Sequence, residues 1–251
     1  MGGEIRRKFL DSVFQQCGKG HLPRIFVETG TYRGDLTVDV CNQFGRVHTI
    51  ELSPKWHTYS ADRLKEYHHV TCHLGDSGVL LTQLAANISE PAVFFLDAHF
   101  SGGETALGKE EVPLLRELSA LSIRSQKDLV IIDDLRLVGR KGVAGRLGTL
   151  KYPPMAFDWS HLSVELIKEL FAGRGRVFFQ ERDDRIVAFT NLSLLDSIRI
   201  RTRVRRLDGT AKLKHRAGIL ATLVRTQPPS QWFPALVSLW RKKNSARHLP
   251  H

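Results

Sequence analysis

Carboxylates recur along the chain wherever a short apolar run ends. Glu28 follows Phe26-Val27, Glu51 follows Ile50, Asp76 follows Leu74-Gly75, Asp97 follows Leu96, and Asp133-Asp134 follow Ile131-Ile132. A single acid at the end of a strand can cap the next helix. Five successive strands ending in acids exceed what capping needs, and open α/β sheets bind their ligands at the carboxyl ends of the strands. An acid after the fourth run and a pair after the fifth would lie side by side on adjacent strand ends. Three carboxylates gathered there repel one another unless a cation neutralises them, and oxygen donors of this kind suit Mg²⁺ or Ca²⁺.

A second group lies near the N-terminus. Phe26-Val27-Glu28-Thr29-Gly30-Thr31-Tyr32-Arg33-Gly34 passes from an apolar run through an acid to glycines, and a helical pattern starts at about Asp35. Glycine permits a tight corner and close approach of backbone to a ligand, and the helix that follows offers unpaired N–H groups. Glu51 comes 17 residues after Gly34. A carboxylate at that place can accept both hydroxyls of a ribose, and NAD and S-adenosylmethionine are the ribose-bearing candidates. Tyr32 fills the middle of the corner, where a pyrophosphate would need close backbone approach, and Gly75-Asp76-Ser77 supplies an acid that can face an adenine. Both features favour S-adenosylmethionine.

The elements that must hold these residues follow from periodicity. Helical spacing is expected over 4–16, from Leu36 to Phe44, from Ser53-Pro54 to about Tyr67, over 80–88, over 109–121 and over 160–171. Strands are expected at 24–28, 46–51, 70–74, 92–96 and 129–132. Alternation of this kind implies a parallel sheet covered by helices on both faces. Val177–Gln180 and Ile186–Thr190 flank Arg182-Asp183-Asp184-Arg185 and read as an antiparallel hairpin. Residues 139–158, rich in glycine and basic residues, read as a long functional loop. The loop, with Ser101-Gly102-Gly103, could close over a site, and Arg136, Arg140, Lys141 and Arg146 near it could hold an anionic substrate.

Together Glu28–Gly34, Ile50-Glu51-Leu52-Ser53-Pro54, Gly75-Asp76-Ser77 and Leu96-Asp97-Ala98-His99-Phe100-Ser101-Gly102-Gly103 resemble a class I S-adenosylmethionine-dependent methyltransferase over about residues 20–190. Tyr32 stands where that family usually has glycine. The resemblance implies a Rossmann-like, seven-stranded, mostly parallel α/β sheet ending in an antiparallel hairpin. It also implies cofactor contacts at Glu28, Thr29, Gly30, Thr31, Tyr32, Gly34, Glu51, Leu52, Asp76, Ser77 and Asp97. The acids after the fourth and fifth strands are similar to those of metal-dependent sugar O-methyltransferases. Carried over, Asp97, Asp133 and Asp134 become ligands of a metal such as Mg²⁺, and His99 becomes the base, acting with Asp97. The implied reaction is O-methylation of a small-molecule or glycan hydroxyl. Two other readings stand beside it: a non-catalytic binding protein on the same fold, and an NAD-dependent oxidoreductase.

Composition bounds these readings. The chain has 251 residues and 42% hydrophobic content, enough for one large α/β domain with extensions. Three expected parts are an N-terminal helix (1–20), the methyltransferase-like domain (21–192) and a C-terminal extension (193–251). Residues 191–251 carry 13 Lys/Arg against 2 Asp/Glu, whereas residues 1–190 carry 24 of each. A neutral body with a basic tail disfavours nucleic acid as a general partner and suits an anionic membrane surface or a protein partner. Homo-oligomerisation through the tail is also open. Within it, Ile198–Arg205 alternates apolar residues or Thr with Arg and reads as a strand. Residues 212–225 read as a helix, and Trp232, Phe233, Leu236, Val237 and Trp240 share one helical face. No apolar run reaches the roughly 18 residues of a membrane span, and the N-terminus lacks a signal-like apolar run. Cys17, Cys41 and Cys72 form no pair by spacing, so reduced cysteines in a cytoplasmic protein, peripheral at the inner membrane face at most, are expected.

Overall fold

The computed structural model describes residues 2–100, 105–144, 154–173 and 175–209. In chain order these form α1 (Gly2–Cys17), β1 (Ile25–Thr29), α2 (Asp35–Val40), β2 (Arg46–Glu51), α3 (Pro54–Leu64), β3 (Val70–Leu74), α4 (Ser77–Asn87), β4 (Ala92–Leu96) and α5 (Leu114–Ser122). Then come β5 (Leu129–Ile132), β6 (Lys141–Ala144), β7 (Met155–Asp158), α6 (Val164–Leu170), β8 (Arg176–Arg182) and β9 (Arg185–Leu192). Met1–Ile200 make one compact unit. Arg201–His251 make a second, of which residues 201–209 are described and are helical.

Seven strands form one sheet in the order β3-β2-β1-β4-β5-β9-β8, the first five parallel and the last two antiparallel. This is the Rossmann-like sheet expected from the sequence. β1 and β4 carry fully buried residues throughout, as a parallel strand covered on both faces requires. Pairing register fixes the height of the strand ends: Thr29 lies beside both Ile50 and Leu96, and Leu96 lies beside Ile132. Glu51, Asp97 and Asp133 each follow one of these residues. The register alone therefore brings their backbones level along one edge, where β2 and β4 diverge from β1.

Three sequence expectations change. The helix expected over 109–121 begins at Leu114, because Pro113 disfavours helical backbone at Val112 before it. The expected 139–158 loop contains a hairpin, β6 paired antiparallel with β7. Residues 198–205 are helical, not a strand. Ser193 caps that helix by accepting the N–H of Asp196 at 3.1 Å, and Ile200, Val204 and Leu207 recur at helical spacing that the alternating arginines obscure. Arg146 and the expectations for 212–251 and 101–103 lie outside the described residues. Among the described residues no helix is long and apolar enough to cross a membrane. None of the three cysteines forms a disulfide among the described residues.

Candidate active site

The corner after β1 is built by backbone geometry. Gly30 has φ 81°, and a Cβ there would stand 2.4 Å from the Asp97 carbonyl oxygen, so only glycine fits. Tyr32 also takes positive φ, 48°, a costly conformation for an aromatic residue. It is held there by Glu51, whose Oε2 accepts the Tyr32 N–H at 2.7 Å, while Oε1 accepts the Ser53 N–H at 2.8 Å. Each carboxylate oxygen keeps a further lone pair for a ligand hydroxyl. The Tyr32 ring packs on buried Trp56, with centroids 4.4 Å apart and the planes tilted by 52°. Glu28, expected at the cofactor, is instead buried beneath the corner. There it accepts hydroxyl hydrogen bonds from Thr37 and Thr49, and Thr49 in turn bonds Thr31. Glu28 and Thr31 thus brace the corner from below. Thr29 reaches the neighbouring strand end, its Oγ1 accepting the Asp97 N–H at 3.3 Å. Gly34, at φ 73°, turns the chain into α2.

Asp76 stands at the start of α4, before buried Ser77. Its Oδ2 accepts from Arg116 at 3.1 Å, and Arg116 also meets Glu110 at 3.0 Å. Oδ1 of Asp76 is buried without a hydrogen-bond partner. Above it, Gly108 approaches closely: a Cβ on it would lie 3.2 Å from a Leu52 methyl carbon and 3.9 Å from Asp76 Oδ2. Leu52 is therefore covered by the segment between β4 and α5.

His99 sits between two carboxylates. Its Nε2 is 2.9 Å from Asp134 Oδ2, and its Nδ1 is 3.5 Å from Asp97 Oδ1. Burial opposes charge on the imidazole. The hydrogen bond that His99 donates to Asp134 and the charges of Asp97, Asp134 and Asp133 outweigh it, and the His99 pKa is raised above its ordinary value. Burial likewise opposes charge on Asp134, but the hydrogen bond and charge of His99, with Arg136, bring its pKa down to about 2. Asp134 holds positive φ, 60°.

Asp133 departs from the expected ligand set. Its carboxylate is taken by Arg185 from β9, with Nε 3.0 Å from Oδ1 and a terminal nitrogen 3.3 Å from Oδ2. The residues whose ligand atoms do gather, all within 4.8 Å of one another, are Asp97, His99 and Asp134. The imidazole replaces the third carboxylate of the expected set. Arg136 is also spent within the protein, on Asp134 and Asp184.

Two residues escaped the sequence reading. Trp159, at the end of β7, is 2% exposed and packs edge-on against His99 with centroids 5.2 Å apart. Glu117 of α5 is 1% exposed. Burial pushes its pKa up to about 7, against hydrogen bonds from Ser77 and Thr29. Both line one pocket with Asp97, His99 and Asp133. Pro113-Leu114-Leu115-Arg116-Glu117 carried a signal, since Glu117 falls among the apolar positions of the helix.

No protein-family model and no curated protein matches the chain. Solved structures similar to it include the S-adenosylhomocysteine-bound methyltransferase PaMTH1 of Podospora anserina, 16% identical, with a TM-score of 0.48, over 75% of this chain and 79% of that one. Another is CalS10 of Micromonospora echinaspora, an amino pentose methyltransferase with S-adenosylmethionine bound. It is 12% identical, with a TM-score of 0.48, over 74% of this chain and 91% of that one. Streptomyces venezuelae DesVI is 14% identical, with a TM-score of 0.46, over 75% and 92%.

Proposed function

We propose that the protein is an S-adenosylmethionine-dependent O-methyltransferase acting on a hydroxyl of a sugar or glycan. The observation that carries this reading is the packing of the Gly30 corner on Asp97, which makes the nucleoside-binding end of β1–β2 and the His99 cluster a single site. Gly30 gives close backbone approach, and Glu51, already oriented by two N–H groups, has lone pairs for ribose hydroxyls. Buried Asp76 Oδ1 suits an exocyclic amine, once the backbone at Gly108 yields its place over Leu52. These residues fit the cofactor, which supplies an electrophilic methyl group when bound. The chain's part is to align an acceptor oxygen and hold its proton.

His99, with Asp134 behind it, is the base in this reading. Asp134 fixes the imidazole and stabilises the charge it gains. Trp159 packs against its ring and helps to exclude water. The same three residues, Asp97, His99 and Asp134, make a donor set that fits a divalent cation; with it bound His99 would be a ligand in place of the base, and the cation would polarise the acceptor oxygen. An imidazole among the ligands extends the preference from Mg²⁺ towards Mn²⁺ or Zn²⁺.

Calorimetry tests the cofactor. Binding of S-adenosylhomocysteine without binding of NAD supports the reading, and binding of NAD or of neither overturns it. Methyl transfer that survives in both Asp97→Ala and His99→Ala would remove the catalytic role given to this cluster.

A further inference from the structure

Two residues that line the pocket each carry a buried polar atom with no hydrogen-bond partner: Oε1 of Glu117, an acceptor, and Nε1 of Trp159, a donor. Their residues come from separate elements, α5 and the end of β7, yet line the same pocket as Asp97 and His99. Leaving such groups buried and unmatched is costly, so a ligand group that pairs with both is favoured. We infer that Glu117 and Trp159 form a second polar subsite that takes a hydroxyl group of the acceptor, making the acceptor a polyol gripped at two points. This rests on the methyltransferase reading, and it adds the residues that hold a second hydroxyl of the acceptor.

The chemistry of the pocket narrows the ligand. An anion would face Asp97, Asp133 and Glu117 together. An ammonium would satisfy Glu117 but meet the Trp159 N–H donor to donor. A hydroxyl gives its proton to a carboxyl oxygen and accepts from an indole N–H. A polyol can present one hydroxyl here and another to the Asp97–His99 side, and a site built to hydrogen-bond a substrate hydroxyl rejects analogues lacking it.

The indole N–H of Trp159 is itself the reporter. In the ¹⁵N-labelled full chain its resonance is identified by its loss in Trp159→Phe, and the protein is titrated with glycerol as the polyol probe and propan-1-ol as the one-hydroxyl control. The expected result is a saturable downfield shift with glycerol, at least tenfold weaker binding of propan-1-ol, and at least tenfold weaker binding of glycerol by Glu117→Leu. Glu117→Gln is the second variant and binds glycerol more weakly than the parent. Glu117→Leu is expected to melt below the parent, because it leaves the buried Ser77 and Thr29 hydroxyls that bond Glu117 without their acceptor; Glu117→Gln keeps an acceptor for them and separates loss of the subsite from loss of the fold. No saturable shift with glycerol, an equal response to propan-1-ol, or unchanged glycerol binding in Glu117→Gln would each overturn the subsite. Calorimetry with S-adenosylhomocysteine is run on the same sample. Cofactor binding without a glycerol response sinks the subsite alone, and a glycerol response without cofactor binding sinks the methyltransferase reading alone.

Discussion

The backbone of Gly30 lies directly against that of Asp97, so close that a Cβ on Gly30 would stand 2.4 Å from the Asp97 carbonyl oxygen. Gly30→Ala must therefore push two strand ends apart and also force alanine to positive φ. We expect a loss of about 2–4 kcal/mol in urea unfolding, with weakened S-adenosylhomocysteine binding. A variant as stable as the parent would show that the corner is not packed in this way.

Glu51 joins the same corner to β2 through Tyr32 and Ser53. Replacing it with alanine removes the acceptor for both N–H groups and the carboxylate offered to the ribose. S-adenosylhomocysteine affinity should fall at least tenfold in calorimetry. Unchanged affinity would place the nucleoside elsewhere.

The neighbouring acids Asp133 and Asp134 should behave differently. Asp133 is 4% exposed and shares its charge with Arg185, 11% exposed. Breaking a buried pair by removing one partner costs about 3–5 kcal/mol, so Asp133→Asn should lower the urea midpoint strongly. Asp134→Asn should cost less stability but remove methyl transfer and lower the His99 pKa, which NMR titration of the imidazole reads directly. The reverse pattern would exchange the roles of the two acids.

Activity should rise with pH. The carboxylates around His99 raise its pKa, so the unprotonated base becomes available only as pH passes through that raised value. The rate should climb through that raised value and then level off, and Asp134→Asn should move the climb to lower pH. For stability the sign is opposite. The His99 contribution is complete below its unfolded pKa of about 6.5 and is lost as pH rises through the folded value. A rate independent of pH between 6 and 9 would rule His99 out as the base.

A histidine pair outside the site has its own signature. His48 Nδ1 lies 3.1 Å from His73 Nε2 across β2 and β3. Burial, then the charges of His73 and Arg46, lower the His48 pKa to about 4. Between that value and the unfolded value of about 6.5 the unfolded chain binds more protons, so stability falls as pH drops through this window. His48→Phe should flatten the fall, measured by urea unfolding at pH 4 to 7. An unchanged slope would assign it to other groups.

Much of the fold was legible because β1–β5 each end in a polar signal and the helices between them keep a clear period. Acids at strand ends likewise pointed to the edge where Glu51, Asp97 and Asp134 stand. What the sequence hid depends on contacts between distant segments. Arg185 reaches Asp133 only because β9 runs antiparallel beside β5. Trp159 reaches His99 from the end of β7, which pairs with β6, and glycines made 139–158 read as loop. Glu28 resembled a cofactor ligand, but in β1 alternate side chains point to opposite faces, and this one points to Thr37 and Thr49.

The segment between β4 and α5 touches both halves of the site. At one end Phe100 N–H bonds the Glu111 carbonyl, next to His99. In the middle Gly108 rests on Leu52, and Glu110 shares Arg116 with Asp76. A nucleoside base that displaces Gly108 must move the same strip of chain that borders the acceptor pocket. Donor and acceptor binding should therefore be coupled. Each should tighten the binding of the other by the same factor, and a product analogue of the donor should then inhibit competitively against the donor alone.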